Sequence, residues 1–202
     1  MKLEVSRRNA LVLAAVVAVV AVLAARQYLG GGERTDGRSM LPTIGGPFTL
    51  VDQTGKTVNN SDLKGRLLLI FFGYTFCPDA CPTALTTITD ALDLLGARAD
   101  DITPVFITVD PGRDTPEQLA MYVAHFHPRL VGLTGTPEQI TKVAKAYRVY
   151  YAKAGEDGTD PDDYLMDHTS ITYLMDRDGT FRLHFSHGTD AETMAERIRG
   201  HL

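Results

Sequence analysis

The sequence of 202 residues contains no tryptophan and only two cysteines, Cys77 and Cys81. Two thiols are too few for a domain held together by several disulfides, and too few for a four-thiolate zinc site. Positive charge is not in excess either, since the formal net charge is −5. This argues against a nucleic-acid-binding protein, because such surfaces carry clustered basic residues. The two cysteines are therefore expected to act through reactivity or metal binding.

The one long apolar run lies near the amino terminus, where residues 10–25 are Ala, Val and Leu without interruption and follow three basic residues. A segment that is apolar on every face has no amphipathic stripe to pack against a core. We therefore predict a single-pass membrane anchor or an export signal over residues 1–29, and prefer the uncleaved anchor. Ser6-Arg7-Arg8 leaves a twin-arginine signal open. With the amino terminus in the cytoplasm, the rest of the chain lies on the extracytoplasmic, periplasmic side.

The remainder of the chain divides into a linker and one domain. Residues 30–44 begin with three glycines and are rich in polar residues, which is typical of a flexible linker. The folded domain is expected over residues 45–202. The overall composition, 44% hydrophobic and 22% charged, suits a globular core.

The first half of this domain shows a hairpin, a buried strand and a helix. Asp52-Gln53-Thr54-Gly55 separates two short segments of strand-forming residues and predicts a β-hairpin turn. Leu67–Phe72 is apolar throughout, as in a central strand covered on both faces. A helix is expected after Cys81, with Pro82 at its first position.

The second half alternates strands with helices. Thr-Pro-Glu-Gln occurs at residues 115–118 and again at 136–139; each copy predicts a helix start, because threonine caps, proline suits the first position and glutamine completes a capping box. Another extended stretch is predicted at Arg148–Lys153, and the chain ends in two strands and a helix. This order predicts a parallel sheet extended by an antiparallel hairpin. We therefore predict a thioredoxin-like α/β fold, with a central mixed sheet flanked by helices.

Residue chemistry leaves three interpretations of Cys77 and Cys81 open. The pair could be structural, although Asp79 and the flanking prolines indicate an exposed loop. It could be a thiol–disulfide oxidoreductase, although thioredoxin-like enzymes have two residues between the cysteines and this chain has three. It could be a metal site, since two thiolates select Cu(I), zinc or iron–sulfur clusters and a mononuclear site needs a third ligand.

Histidine is the expected third ligand, and His168 is the strongest candidate. It precedes the strand predicted at Ile171–Met175, in the loop that faces the dithiol in thioredoxin-like folds. That loop usually presents a cis-proline, and His168 stands in its place. The other histidines are predicted at the surface, on the polar side of a strand, in a loop or at the terminus: His125, His127, His184, His187 and His201.

With these residues identified, the sequence resembles the Sco/SenC family of copper-binding, thioredoxin-like proteins. The matching motifs occur in the family's order between about residues 45 and 202. They are Gly45-Gly46-Pro47-Phe48-Thr49-Leu50, Phe72-Gly73-Tyr74-Thr75, Cys77-Pro78-Asp79-Ala80-Cys81-Pro82, Val109-Asp110-Pro111-Gly112-Arg113-Asp114-Thr115-Pro116 and Asp167-His168-Thr169. Ala80 and Thr169 replace the valine and serine of many members, and neither change removes a ligand.

The resemblance implies that Cys77, Cys81 and His168 bind one copper ion per chain, as Cu(I) or Cu(II). It implies a copper chaperone, not an enzyme, that assembles the binuclear CuA centre of cytochrome c oxidase. The expected partners are the CuA-bearing subunit and other periplasmic copper carriers. The alternative is a thiol–disulfide reductase that acts on the CuA-site cysteines or in redox signalling.

Charged residues near the cysteines are candidates for a supporting role. Asp110, Arg113 and Asp114 follow the second central strand, at the same edge of the predicted sheet. They fit either a salt-bridged, helix-capping loop or a group that supports the ligands or docks a partner, and the resemblance favours the supporting role for Asp114. Asp79 and Asp167 are expected either to tune the metal site or to satisfy local amides.

Overall fold

The structure is a computed structural model, and it describes residues 16–25, 43–154 and 164–202. Residues 16–25 form a helix whose side chains are exposed. Within the described ranges, no helix is both long and apolar enough to cross a membrane. The rest of the predicted anchor, and the predicted linker up to residue 42, lie outside the described residues.

The described residues from 43 onward, 43–154 and 164–202, form an α/β unit around a seven-stranded mixed sheet, with a separate two-stranded sheet beside it. The strands of the large sheet are β1 Thr49–Asp52, β2 Thr57–Asn59, β3 Leu67–Gly73, β4 Ile102–Thr108, β5 Val131–Thr134, β8 Ile171–Met175 and β9 Phe181–Ser186. Their order across the sheet is β2-β1-β5-β4-β3-β8-β9. The small sheet pairs β6 Tyr151–Ala154 with β7 Leu165–His168.

The helices are α1 Ala80–Leu95, α2 Pro116–Val123, α3 Pro137–Tyr147 and α4 Ala191–Arg199, and short 3₁₀ turns cover Asn60–Leu63 and Gly96–Asp101. Both predicted threonine caps are present. The Thr115 side chain accepts a hydrogen bond from the Gln118 amide, and Thr136 forms a reciprocal capping box with Gln139. Asp190 caps α4.

Strand β3 is central, and every one of its residues is buried. It runs parallel to β4 and antiparallel to β8, so both of its edges are hydrogen-bonded. Strand β4 also pairs in parallel with β5, while β1 joins β5 antiparallel. The predicted hairpin and the mixed character of the sheet are confirmed. Because the loops after β3 and β4 leave the sheet at the same edge, the residues that follow Gly73 and Thr108 meet there.

Four local predictions were wrong. Helix α1 begins at Ala80, so Pro82 is its third residue and not its first. The stretch predicted at Arg148–Lys153 does form a strand, at Tyr151–Ala154, but this strand lies outside the large sheet in which the predicted order of elements placed it. His168 does not lie in a loop, because it pairs with Tyr151 as the last residue of β7. His127, predicted at the surface, is buried, and its Nδ1 accepts the Arg129 amide hydrogen at 3.1 Å.

Candidate metal centre

The two cysteines lie at the corner between β3 and α1. Cys77 is in the connecting loop and is half-buried, whereas Cys81 is in the first turn of α1 and is fully buried. The Cys81 amide donates to the Cys77 sulfur at 3.4 Å. Amides of a first helical turn have no partner within the helix, so a sulfur placed there is stabilised as a thiolate.

His168 supplies a third donor atom beside the sulfurs. Its Nε2 lies 3.4 Å from the Cys81 sulfur, and the three donor atoms of Cys77, Cys81 and His168 all lie within 4.8 Å of one another. Metal–sulfur bonds of about 2.3 Å allow two thiolate ligands of one ion to lie up to about 4.6 Å apart, and the 4.8 Å bound on the three donor atoms is close to this limit. The three side chains are therefore spaced to hold a single metal ion.

The imidazole is oriented for ligation by Nε2. Its Nδ1 lies 3.3 Å from the Thr169 carbonyl oxygen, which can only accept, so we assign the hydrogen of the neutral ring to Nδ1. The Nε2 lone pair then faces the cysteines, as in metal sites where a second partner fixes the tautomer. The rings of Phe71 and Tyr74 meet the imidazole edge-on, at centroid distances of 6.1 and 5.8 Å.

The two thiols differ in acidity. The hydrogen bond from Cys81 lowers the pKa of Cys77 well below its ordinary value, with further lowering by the amides of Asp79 and Cys81, against the opposing effect of burial. The pKa of Cys81 is raised, because its hydrogen is held by Cys77 and because it is buried. In the metal-free state, these opposite pKa shifts favour a single thiolate, located on Cys77.

We expect the metal-free, reduced protein to hold one thiolate per chain at neutral pH. The Cys77 thiol should ionise below the ordinary cysteine pKa of about 8.5. Thiolate absorbance near the ultraviolet edge, followed from acid to alkaline pH, measures it. The Cys77→Ala variant should lose this low transition, and a wild-type curve with both thiols titrating above neutrality would contradict the assignment.

Asp114 lies behind the cysteine loop and is fully buried. Its carboxylate accepts hydrogen bonds from the Thr75 amide at 3.1 Å, the Thr75 hydroxyl at 2.6 Å and the Thr108 hydroxyl at 2.5 Å. Burial raises the pKa of Asp114, and these three bonds oppose the shift. Asp114 thus fixes Thr75, two residues before Cys77, to the end of β4.

The other four charged candidates differ in their placement. Asp110 is buried and forms a short ion pair with Arg113, with 2.5 Å between Oδ2 and Nε. Asp79 is exposed, and its side chain accepts the Thr83 hydroxyl at 3.4 Å. Asp167 is also exposed and is adjacent to His168 on β7, so the strand alternation directs it to the opposite face. Asp79 and Asp167 are thus surface residues close to the ligands in sequence.

Sequence reasoning missed Gly73 as a residue of the site. A β-carbon placed there would lie 2.6 Å from the Cys81 sulfur and 2.9 Å from the Phe106 ring. Any residue other than glycine at this position would therefore displace the Cys81 sulfur. A glycine at the end of a fully apolar strand was the available signal, because glycine in a strand marks a close approach.

The roles of Phe76 and Tyr164 were missed as well. Both rings lie against the Arg113 guanidinium, with 4.7 Å from its carbon to the Phe76 centroid and 3.6 Å to that of Tyr164. Tyr164 is 51 residues away from Arg113 in sequence. No local pattern points to such a contact, so only the folded chain shows it.

Fold and site together define a thioredoxin-like protein with a two-thiolate, one-imidazole group spaced for one metal ion. The SCO1/SenC family matches residues 37–202. An SCO2-like protein of Rickettsia felis is 46% identical over 157 residues, which cover 78% of this chain and 76% of that protein. The chain belongs to the SCO1/SenC family.

Solved structures agree with this assignment. A structure of Bradyrhizobium japonicum ScoI with copper bound is 48% identical, with a TM-score of 0.72, and the match covers 79% of this chain and 99% of that one. BsSco, described as a member of the Sco family of cytochrome c oxidase assembly proteins, is 25% identical, with a TM-score of 0.61 and coverage of 79% and 94%.

Proposed function

We propose that this chain is a copper chaperone that binds one copper ion through Cys77, Cys81 and His168. The observation that carries the proposal is the spacing of their three donor atoms, which all lie within 4.8 Å of one another. Thiolate ligands select Cu(I) over harder cations, and two sulfurs with one nitrogen suit its low coordination number. The related ScoI with copper bound supports this choice of metal.

The unequal burial of the two sulfurs suits a cargo site. Cys81 is fully enclosed, while Cys77 is partly exposed in its loop. A partner's thiolate can therefore approach the cargo from the Cys77 side and exchange ligands there, while Cys81 and His168 still hold the ion. Copper is the cargo in this scheme, and the protein gains or loses no electron in the transfer.

The proposed recipient is the CuA-bearing subunit of cytochrome c oxidase, with other periplasmic copper carriers as donors or further partners. The support is the description of the Sco family as oxidase assembly proteins. The proposed location is the extracytoplasmic face of a membrane, with residues 1–29 as anchor or signal, 30–44 as linker and 45–202 as the copper-binding domain. The support is the unbroken apolar run of residues 10–25 after a basic start.

Copper content and Cu(I) affinity of the full-length chain test the binding proposal. Wild type should bind one copper per chain, and its Cu(II) form should show a thiolate charge-transfer band. Cys77→Ala should lose stoichiometric binding. His168→Ala should keep both sulfurs but lose more affinity than the roughly 10- to 100-fold typical of an outer-shell partner.

The matched control is His184→Ala, because His184 is an exposed histidine on β9, away from the sulfurs. It should bind copper as wild type does. If His168→Ala matches His184→Ala in affinity and spectrum, His168 is not the third ligand.

A second candidate function is reduction of the recipient's CuA-site cysteines, and the unequal acidity of the two thiols favours it. A thiolate at Cys77 can attack a disulfide sulfur, and Cys81 can then close the internal disulfide, so the partner gains two electrons and this chain loses two. Incubation of the reduced, copper-free chain with an oxidised CuA-domain protein decides between the functions. Failure to release free thiols there removes the reductase, whereas copper transfer from the copper-loaded chain to the reduced CuA-domain protein supports the chaperone.

A further inference from the structure

A stack of cationic and aromatic side chains joins the cysteine loop to the strand pair that carries His168. The Arg113 guanidinium lies against two rings, 4.7 Å from the Phe76 centroid and 3.6 Å from the Tyr164 centroid. The Lys153 ammonium lies on Tyr164 as well, at 3.7 Å. We call Phe76, Arg113, Tyr164 and Lys153 the cation–aromatic stack. It links three segments: the loop after β3, the loop after β4, and the β6–β7 pair.

Hydrogen bonds fix the centre of this stack. Asp110 accepts from the Arg113 Nε at 2.5 Å with one oxygen and from the Tyr164 hydroxyl at 2.8 Å with the other. A second guanidinium nitrogen donates to the Tyr164 carbonyl oxygen at 2.9 Å. The Arg113 and Asp110 side chains are only 12% and 6% exposed. Screening by water is weak at such burial, so the geometry is strongly constrained.

The β6–β7 pair needs such a connection to stay in place. Its strands pair only with each other and not with the seven-stranded sheet. A two-stranded hairpin alone is marginally stable in water. The position of His168 at the end of β7 therefore depends on contacts between side chains of this pair and the domain. Besides the stack, the Tyr151 hydroxyl of β6 lies at hydrogen-bond distance, 2.9 Å, from the Thr141 hydroxyl of α3, and Met166 of β7 packs in the hydrophobic core.

We propose that Arg113 and Tyr164 are positioning residues for the metal centre, holding the β6–β7 pair so that His168 faces Cys77 and Cys81. The expected effect on copper affinity rests on the proposed function, whereas the role of these residues in placing the strand pair does not. Neither residue contacts the three donor atoms in this arrangement; both act through the strand that bears the imidazole.

Tyr164→Leu is the principal test variant. It removes the ring and the hydroxyl but leaves the Asp110–Arg113 ion pair intact, whereas Arg113→Ala would leave a buried carboxylate without its cation and endanger folding. Tyr164→Phe keeps the ring and loses the hydrogen bond from the hydroxyl to Asp110. Arg197→Ala is the matched control, because Arg197 lies 4.9 Å from the Phe185 centroid in an arginine–ring contact on α4.

Hydrogen exchange of the copper-free, full-length chain gives the first measurement. In Tyr164→Leu, amides of Tyr151–Ala154 and Leu165–His168 should exchange at least about tenfold faster, which corresponds to the loss of roughly 1.4 kcal/mol of local stability. Amides of β3 and β4 should keep their wild-type rates. Tyr164→Phe should show a smaller change and Arg197→Ala none in this pair. Equal acceleration in β3 and β4 would mean a general stabilising role and would overturn the proposal, as would unchanged exchange in β6–β7.

Copper affinity gives the second measurement. Tyr164→Leu should weaken Cu(I) binding by about 10- to 100-fold in the wild-type background, as removal of a partner that orients a ligand typically does. In the His168→Ala background it should have no further effect, because the ligand that it positions is gone. Equal losses in both backgrounds would overturn the positioning role. If the wild-type protein binds no copper, the proposed function is wrong. The hydrogen-exchange rates alone would then decide the positioning role of Arg113 and Tyr164.

Discussion

Gly73→Ala is expected to displace the Cys81 sulfur and to abolish the copper site. The new β-carbon would lie 2.6 Å from that sulfur, 2.9 Å from a Phe106 ring carbon and 3.0 Å from a Phe71 ring carbon. Both rings are buried in the core, so they cannot move aside freely. The cysteine has a single side-chain torsion, and the available relief is rotation of its sulfur away from the added methyl group. That rotation also takes the sulfur away from His168.

The expected costs of Gly73→Ala can be separated by two measurements. Overpacking of a dense core typically costs about 1–3 kcal/mol of unfolding free energy, which urea denaturation of the copper-free chain measures. Copper affinity should fall to that of Cys81→Ala, because the same ligand is lost. A folded Gly73→Ala protein with wild-type copper affinity would show that the sulfur stays in place and that the interpretation is wrong.

Gly200→Ala is the matched control for this prediction. A β-carbon there would meet the Arg197 carbonyl oxygen at 3.6 Å, an ordinary contact, and the backbone φ of −69° suits any residue. Its stability should stay within about 0.5 kcal/mol of wild type, with unchanged copper binding. The contrast isolates crowding at the sulfur from the general effect of replacing glycine.

Asp114→Ala is expected to lower the free energy of unfolding by more than Gly73→Ala does. Three donors, the Thr75 amide and the hydroxyls of Thr75 and Thr108, would lose an acceptor that is fully buried. Each donor that stays unsatisfied costs about 1–3 kcal/mol. The loop that carries Cys77 would also lose its attachment to β4, so copper affinity should fall with stability. Urea denaturation and Cu(I) competition measure the two effects.

Asp114→Asn tests the electrostatic part of this argument. The amide keeps the shape and a carbonyl acceptor, so it should destabilise the fold less than alanine does. Because burial raises the pKa of Asp114, the folded state favours the protonated acid. The stability from this group is therefore present below the unfolded carboxyl pKa of about 3.9 and is lost as pH rises through the raised folded value.

The stability of Asp114→Asn should therefore improve relative to wild type as pH rises above about 4. The stability difference between the two proteins, measured by urea denaturation at a series of pH values, checks the sign. A difference that is constant with pH would show that Asp114 titrates alike in the folded and unfolded chains.

The order and type of most elements followed from local patterns. The apolar run from Leu67 predicted the central strand because a strand covered on both faces must be apolar at every position. The two Thr-Pro-Glu-Gln segments predicted helix starts correctly, since caps and first-turn prolines are local chemistry. The start of α1 was misplaced by two residues. Proline is tolerated throughout the first turn, where amides have no helical partner, so Pro82 does not mark the boundary.

Predictions failed where pairing depends on distant segments. The order of elements predicted that strand β6 would join the large sheet, yet it pairs with β7 in a separate sheet. The burial of His127 was not predicted either, because its surroundings come from other parts of the fold. Extended segments carry no local record of which partner they pair with, so register and partner are decided by packing.

The sequence by itself determined the chemistry of this protein: two thiols at a strand-to-helix corner, one histidine before the closing hairpin, and the motifs of the SCO1/SenC family. These depend on residue type and order, which the chain carries directly. The tertiary structure alone decided how that chemistry is held. Gly73 leaves room for the Cys81 sulfur, Asp114 fixes the loop before Cys77, and Arg113 meets Tyr164 across 51 residues. Such contacts join segments far apart in sequence, so they exist only once the chain has packed.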